Sequence, residues 1–178
     1  MLEQEYVVLV DEKDKPIGRE EKLQAHKKGL LHRAFSVQIT DKRGYWLLQQ
    51  RAQSKYHCPG LWANTCCSHP GQNENITSAA RRRLREEMGF DVPLVSERFV
   101  FQYRAELPSG LIENEIDHVL FGAYNGNMEN IHPNPREVMG HRWIRPEDMV
   151  EDIKLCPEIY APWFRTIVNE AQKRRIIL

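Results

Sequence analysis

The stretch Ser68–Phe90 reads SHPGQNENITSAARRRLREEMGF and holds the clearest helical pattern of the chain. Apolar residues recur every four positions and predict a helix over Asn75–Met88 with one apolar stripe: Ile76, Ala80, Leu84 and Met88. Asn73 or Asn75 is suited to cap its start, and Gly89 stands where a left-handed residue commonly ends a helix. This helix is the most clearly predicted element of the chain.

The segments around this helix predict strands on both of its sides: Tyr6–Val10, Ala34–Thr40, Tyr45–Arg51, Phe99–Leu107, Leu111–Tyr124 and His141–Ile144. Turns are predicted over Asp11–Gly18, 41–44 and 108–110, a short helix or loop over Glu20–Lys28, a helical turn from Pro146, and a closing helix over Ile159–Arg174. Residues 52–72 show no periodicity yet hold a tryptophan, three cysteines and two histidines, which indicates a functional loop. The order predicts one domain over residues 1–178, either α+β or a mixed sheet with helices on its faces.

Composition excludes several classes of function. The chain has 178 residues, with 25 Lys and Arg against 25 Asp and Glu, so it lacks the basic surplus of a nucleic-acid binder or a polybasic membrane anchor. No apolar run approaches the roughly 20 residues of a membrane span, and the acidic start is unlike a signal peptide. The four cysteines then suggest thiols in a reducing cytoplasm. The oligomeric state stays open between a monomer and a weak dimer.

Two groups of charged residues have a defined geometry. Arg83, Glu86 and Glu87 project together from the predicted helix, either as a solvated, ion-paired face or as part of a site. Glu113 and Glu115 lie two apart on a predicted strand and share one face. Paired carboxylates repel each other unless a cation or a proton lies between them, so this pair is either a solvent-facing edge or a cation site.

The pattern G-x5-E-x7-R-E-U-x-E-E-x-G-U, where U is bulky and apolar, is the signature of the Nudix hydrolases, and Ser68–Phe90 resembles it. Seven of its nine specified positions are met, by Glu74, Arg82, Leu84, Glu86, Glu87, Gly89 and Phe90. Ser68 replaces the first Gly, and Arg83 replaces a metal-binding Glu. A cation at that position disfavours a hydrolase with several metals and favours direct contact with a phosphate oxygen.

Together with this helix, Asn64–Pro70 (NTCCSHP) and Gly110–Glu115 (GLIENE) resemble the type I isopentenyl-diphosphate isomerases over roughly Val7 to Trp163. The resemblance implies a Nudix-like α+β fold, with a mixed β-sheet between helices. It also implies an isomerase that moves a double bond along a small isoprenoid diphosphate. No nucleic-acid or membrane partner is expected.

The resemblance also implies a role for each matching residue. One divalent metal, Mn²⁺, Mg²⁺ or Zn²⁺, is expected on His26, His32, His69, Glu113 and Glu115. A Mg²⁺ that arrives with the diphosphate is expected on Glu87. Catalytic roles are implied for Cys67, Glu115 and Tyr103. Substrate contacts are implied for Lys22, Arg51, Lys55, Arg83 and, over the hydrocarbon, Trp163.

The chemistry of this reaction explains the residue types. A proton must be added to an unactivated alkene and another removed from the neighbouring carbon, which requires an acid and a base away from water. We expect nearby cations to lower the pKa of the Cys67 thiol and favour its thiolate form. Two alternatives remain: a Nudix-type diphosphate hydrolase and a catalytically silent Nudix-fold binding module.

Overall fold

A computed structural model of the chain describes residues 5–55, 57–107, 109–126 and 128–177, with the side chains at 95–97 and 128 left aside. Its strands are β1 Tyr6–Val10, β2 Pro16–Glu21, β3 His32–Thr40, β4 Trp46–Arg51, β5 Trp62–Ala63, β6 Cys66–Ser68, β7 Leu94–Glu106, β8 Ile112–Ala123 and β9 Val138–Ile144. Its α-helices are α1 Lys22–Lys28, α2 Ile76–Met88, α3 Pro146–Leu155 and α4 Pro162–Lys173. Short 3-10 turns lie at Met128–Asn130 and Pro157–Ile159.

Helix α2 confirms the prediction made from its periodicity. The Asn75 side chain caps it, because Oδ1 accepts hydrogen bonds from the backbone N–H groups of Thr77 and Ser78. Gly89 ends the helix at φ 77°, in the left-handed region. Leu84 and Met88 are fully buried, so the apolar stripe faces the sheet. Local sequence therefore determines both the position and the orientation of this helix.

Three predictions differ from the structure. The turn predicted over Asp11–Gly18 is shorter, because β2 begins at Pro16 and pairs with β1. The loop over residues 52–72 contains two short strands, β5 and β6, which pair with β4 and β3. The closing helix begins at Pro162 instead of Ile159, since residues 157–159 form a separate 3-10 turn. Of the turn predicted at 108–110, Pro108 lies outside the described residues.

The described strands form one mixed sheet centred on β3. Strand β3 runs parallel to β8 along one edge and pairs with β1, β6 and β4 along the other. Helix α2 packs on one face of the sheet, around Val37 and Leu120. Helices α3 and α4 cover the other face, around Val119 and Phe164. The predicted α+β class, with a mixed sheet between helices, is confirmed.

The cysteines and the helices also agree with the composition. All four cysteines are free thiols. Among the described residues, none of the helices is long and apolar enough to cross a membrane.

The end of α2 gives a test of this architecture. A Cβ added at Gly89 would lie 2.3 Å from the carbonyl oxygen of His132, whereas one at Gly44, also left-handed at φ 82°, would meet nothing within 4 Å. We expect Gly44→Ala to destabilise the protein by about 1–2 kcal/mol, the cost of left-handed backbone. Gly89→Ala should cost about 2–5 kcal/mol, because overpacking adds about 1–3 kcal/mol to that strain.

Urea unfolding of the two variants and the wild type measures this difference. Equal losses of unfolding free energy would show that α2 does not end against the His132 segment as described.

Candidate active site and metal centre

A cleft opens on the sheet face that α4 covers. Ten of the residues predicted for the site line it: Lys22, Arg51, Lys55, Cys67, His69, Arg83, Tyr103, Glu113, Glu115 and Trp163. His26 and His32 are not among its lining residues but contact it through Glu115. Glu87 does not line it either. The structure therefore gathers residues that are up to 141 positions apart in sequence, from Lys22 to Trp163.

Strand register places Glu115 at the centre of this group. Along the parallel β3–β8 pair Glu115 lies opposite His32, and along the antiparallel β7–β8 pair it lies opposite Tyr103. Side chains that are directly opposite share one face of a sheet. The pairing of β3 with β6 sets Cys67 opposite Ser36 on the same central strand.

Three imidazoles converge on the Glu115 carboxylate. Its Oε1 lies 3.1 Å from His69 Nε2, 3.3 Å from His32 Nε2 and 3.9 Å from His26 Nε2. Their ligand atoms and that of Glu115 all lie within 4.8 Å of one another. Glu113 lies beside them, with Oε2 at 3.4 Å from His26 Nε2.

These donors fit a divalent metal. The Nδ1 atoms of His26 and His32 lie 2.6 and 2.8 Å from the backbone oxygens of Lys22 and Leu30. A proton on each Nδ1 leaves Nε2 as a lone pair aimed at Glu115. His26 Nε2 is buried and has no hydrogen-bond partner among the described residues. The Nε2 atoms of His32 and His69 face each other at 3.2 Å, an arrangement that a shared cation accommodates.

Burial and charge set the protonation of this cluster. Burial opposes the charged form of Glu115, but hydrogen bonding to His32 and the charges of His32 and His26 lower its pKa. Burial also lowers the pKa of His69 well below its usual value, and the neighbouring His32 and Lys22 add to this effect. For His26, burial is outweighed by the nearby Glu113 carboxylate, whose Oε2 lies 3.4 Å from Nε2 and raises the pKa. An ionised Glu115 beside a neutral His69 suits metal binding, because both groups then offer lone pairs.

The Cys67 thiol lies beside Arg51, whose Nη1 is 3.8 Å from Sγ. Burial raises the pKa of Cys67 to about 12, and the positive charge of Arg51 only partly opposes it. The predicted lowering of this pKa by cations is therefore wrong for the protein alone, because burial is the larger effect.

Three of the four cations predicted to hold phosphate are paired with carboxylates. Lys22 Nζ lies 2.7 Å from Glu5 Oε2, and Lys55 forms an ion pair with Glu137. The guanidinium of Arg83 contacts three acids, at 2.7 Å for Glu86 and Glu87 and 3.4 Å for Glu137. A diphosphate entering here must therefore displace carboxylates from these cations.

Glu87 has a different environment from the other predicted metal ligands. It is buried, and its two oxygens accept hydrogen bonds from Arg83 at 2.7 Å and from Gln49 Nε2 at 3.1 Å. Each oxygen thus has one of these two donors, and a carboxylate oxygen has a second lone pair that could contact a Mg²⁺ ion.

Two aromatic residues border the cleft. Burial raises the pKa of Tyr103 well above its usual value, and its hydroxyl has no hydrogen-bond partner among the described residues, although Glu115 is directly opposite. Trp163 lies at the start of α4, with its Nε1 donating to Asn64 Oδ1 and Arg51 lying 5.1 Å from its ring centre. The indole is therefore held in place at one wall of the cleft.

Sequence reasoning missed two residues that contact the site. His57 lines the cleft, with Nδ1 at 3.2 Å from Glu113 Oε1. Glu137 joins Lys55 to Arg83. Only the location of His57 in the aperiodic 52–72 segment signalled it, and no local pattern signalled Glu137.

Comparison with known proteins shows that the chain matches a family model and several proteins of similar sequence. Residues 30–166 match the model of the NUDIX domain. The chain is 46% identical over 166 residues to isopentenyl-diphosphate Delta-isomerase 2 of Aromatoleum aromaticum, covering 93% of this chain and 86% of that protein. It is 43% identical to the isopentenyl-diphosphate Delta-isomerase of Serratia proteamaculans, covering 93% and 90%.

Solved structures support the fold alone. The chain superposes on DR0079 from Deinococcus radiodurans with a TM-score of 0.74 at 17% identity, covering 93% of this chain and 98% of that one. It superposes on a MutT protein from Methanosarcina mazei with a TM-score of 0.65 at 16% identity, covering 82% and 95%.

The chain belongs to the Nudix family and, within it, to the type I isopentenyl-diphosphate Delta-isomerases, as the family model and the sequence relatives show.

Proposed function

We propose that the chain interconverts isopentenyl diphosphate and dimethylallyl diphosphate by moving a proton on and off carbon. The observation that carries the proposal is that one cleft holds the Cys67 thiol, the buried Glu115 carboxylate and a group of cations. An acid and a base supply the two proton transfers, and the cations bind the diphosphate. The names of the relatives agree with this reaction.

In the forward direction, one of the two groups protonates the terminal CH₂ of the alkene, which becomes a methyl group. The other removes a proton from the carbon nearer the diphosphate. Because the reverse reaction retraces the same path, Cys67 and Glu115 exchange roles between the two directions. Tyr103, directly opposite Glu115, is suited to donate a hydrogen bond from its hydroxyl group to that carboxylate.

The hydrocarbon requires a wall that stabilises positive charge without reacting with it. The face of the Trp163 indole carries negative quadrupole charge, and indole is a poor nucleophile. Asn64 holds the Nε1 end of this ring at 3.1 Å, so its position is fixed. The developing carbocation is therefore stabilised and not trapped.

We propose one divalent metal, Mn²⁺, Mg²⁺ or Zn²⁺, on His26, His32, His69, Glu113 and Glu115. Such an ion neutralises the paired carboxylates and fixes the orientation of Glu115. Glu87 is proposed to contribute to a Mg²⁺ site that forms with the diphosphate, since a single carboxylate is a weak Mg²⁺ site by itself. A reducing compartment, the cytoplasm, suits a reaction that depends on a free thiol.

Binding of the diphosphate is assigned to Lys22, Arg51, Lys55 and Arg83. Their contacts with the diphosphate, which is the nonreacting end of the substrate, orient the alkene against Cys67 and Glu115. Binding energy at one end of the substrate therefore promotes reaction at the other. The hydrolase alternative is disfavoured by Arg83, which pairs with both Glu86 and Glu87 and so occupies the carboxylates that the Nudix signature directs at metal.

Turnover in D₂O tests the proton transfers directly. With isopentenyl diphosphate and Mg²⁺, we expect dimethylallyl diphosphate with deuterium in its new methyl group, because thiol and carboxyl protons exchange with solvent. Cys67→Ala should abolish this product yet bind inorganic pyrophosphate like the wild type, since the thiol acts only in the transition state. Proton and deuterium NMR of the products measures isomerisation, and calorimetric titration with inorganic pyrophosphate measures binding.

Cys156→Ala is the matched control, because it removes a partly buried thiol that does not line the cleft. Isomerisation by Cys67→Ala at the wild-type rate would contradict the mechanism. Release of phosphate without carbon-bound deuterium would instead identify a hydrolase, and the absence of any product would identify a binding module.

Reversing the charge of Arg83 tests the assignment of the diphosphate site. Arg83→Glu should raise KM about 10- to 100-fold, equivalent to about 1.4–2.8 kcal/mol, from a lost charge-assisted contact and new repulsion. It should not produce efficient hydrolysis, although it restores the Nudix pattern at that position. Arg81→Glu, on the same helix but paired with Asp91, is the control and should keep the wild-type KM. Equal KM values for the two variants would show that Arg83 does not contact the substrate.

A further inference from the structure

His57 contacts both Glu113, which is one of the proposed metal ligands, and Arg51, which lies beside Cys67. It lies between β4 and β5, is buried to 7% exposure, and its Nδ1 is 3.2 Å from Glu113 Oε1. Its backbone oxygen accepts a hydrogen bond from Arg51 Nε at 3.0 Å. The imidazole thus contacts Glu113, while the backbone oxygen of the same residue holds the Arg51 guanidinium beside Cys67.

The two oxygens of Glu113 face different histidines. Oε2 lies 3.4 Å from His26 Nε2, on the side of the metal cluster, and Oε1 lies toward His57. Without an outside contact, this carboxylate could rotate and present either oxygen, or both, to a metal. A donor on Oε1 would remove that freedom and leave Oε2 as the ligand.

A metal site that includes His57 cannot be occupied at the same time as the site on His26, His32, His69 and Glu115. The donor group of His26, His57 and Glu113 overlaps the group of His26, His32, His69 and Glu115 at His26. His26 has only Nε2 available as a ligand, because its Nδ1 lies 2.6 Å from the backbone oxygen of Lys22. One lone pair binds one ion, so the two groups cannot both use His26 at once.

We propose that His57 is a positioning residue. Its Nδ1–H holds Glu113 Oε1, so that Oε2 is directed at the metal bound by His26, His32, His69 and Glu115. This inference rests on the metal site of the proposed function. The role is carried by the imidazole, since the contact with Arg51 uses only the backbone of His57.

Titration of the metal-depleted full-length protein with Mn²⁺, followed by the electron paramagnetic resonance of free Mn²⁺, tests the proposal. His57→Phe keeps a ring but has no donor, and it should weaken Mn²⁺ binding about 10- to 100-fold, as for other outer contacts of metal ligands. His57→Asn places an amide N–H close to the position of Nδ1 and should restore most of the affinity. His57→Gln carries its amide one bond further out and should not.

Three results would overturn the proposal. The first is equal Mn²⁺ affinity for the wild type and His57→Phe, and the second is an affinity of His57→Asn as low as that of His57→Phe. The third is a loss of one coordinated nitrogen in the electron spin echo spectrum of Mn²⁺-loaded His57→Phe, which would make His57 a ligand.

Binding of inorganic pyrophosphate in Mg²⁺ separates positioning from general damage to the loop. His57→Phe should bind pyrophosphate like the wild type, because the Arg51 contact is kept, and a parallel loss would contradict the assignment. None of these measurements depends on turnover. Absence of isomerisation by the wild type would therefore refute the proposed function, while the Mn²⁺ titrations would still decide the role of His57.

Discussion

Two carboxylates, Glu113 and Glu115, are buried on one face of β8, and the organisation of the cleft depends on how their charge is neutralised. Removing two like charges from water is strongly unfavourable unless opposite charge lies close by. The chain surrounds them with the imidazoles of His26, His32, His57 and His69 at 3.1–3.4 Å. The proximity of these two buried carboxylates therefore favours the binding of a cation among the imidazoles.

The sheet makes this cluster possible through its register. His32 and Tyr103 flank Glu115 on neighbouring strands, and Cys67 reaches the cleft because β6 pairs with the same central strand. A slip of one residue would turn each of these side chains to the α2 face. The helix α4 then closes the cleft with Trp163. The chemistry thus depends on pairings between segments far apart in sequence. Helix α2 packs on the opposite face of the same sheet.

Sequence alone predicted what local pattern determines. The period of Ile76, Ala80, Leu84 and Met88 predicted α2 and its caps, and alternation predicted the shared face of Glu113 and Glu115. The gathering of histidines, thiol and cations followed only from family resemblance, since no spacing rule joins residue 26 to residue 115. The β5 and β6 strands, His57 and the high pKa of Cys67 were missed, because each depends on long-range pairing or on burial, which local sequence does not encode.

The chemistry proposed for the cleft depends on a divalent cation among His26, His32, His69 and Glu115 that holds the Glu115 carboxylate in place. Anomalous diffraction from crystals grown with Mn²⁺ tests it most directly. The account predicts one strong anomalous peak within bonding distance of the three Nε2 atoms and a Glu115 oxygen, present without substrate. Crystals that show no peak there, while the histidines keep their positions, would contradict it.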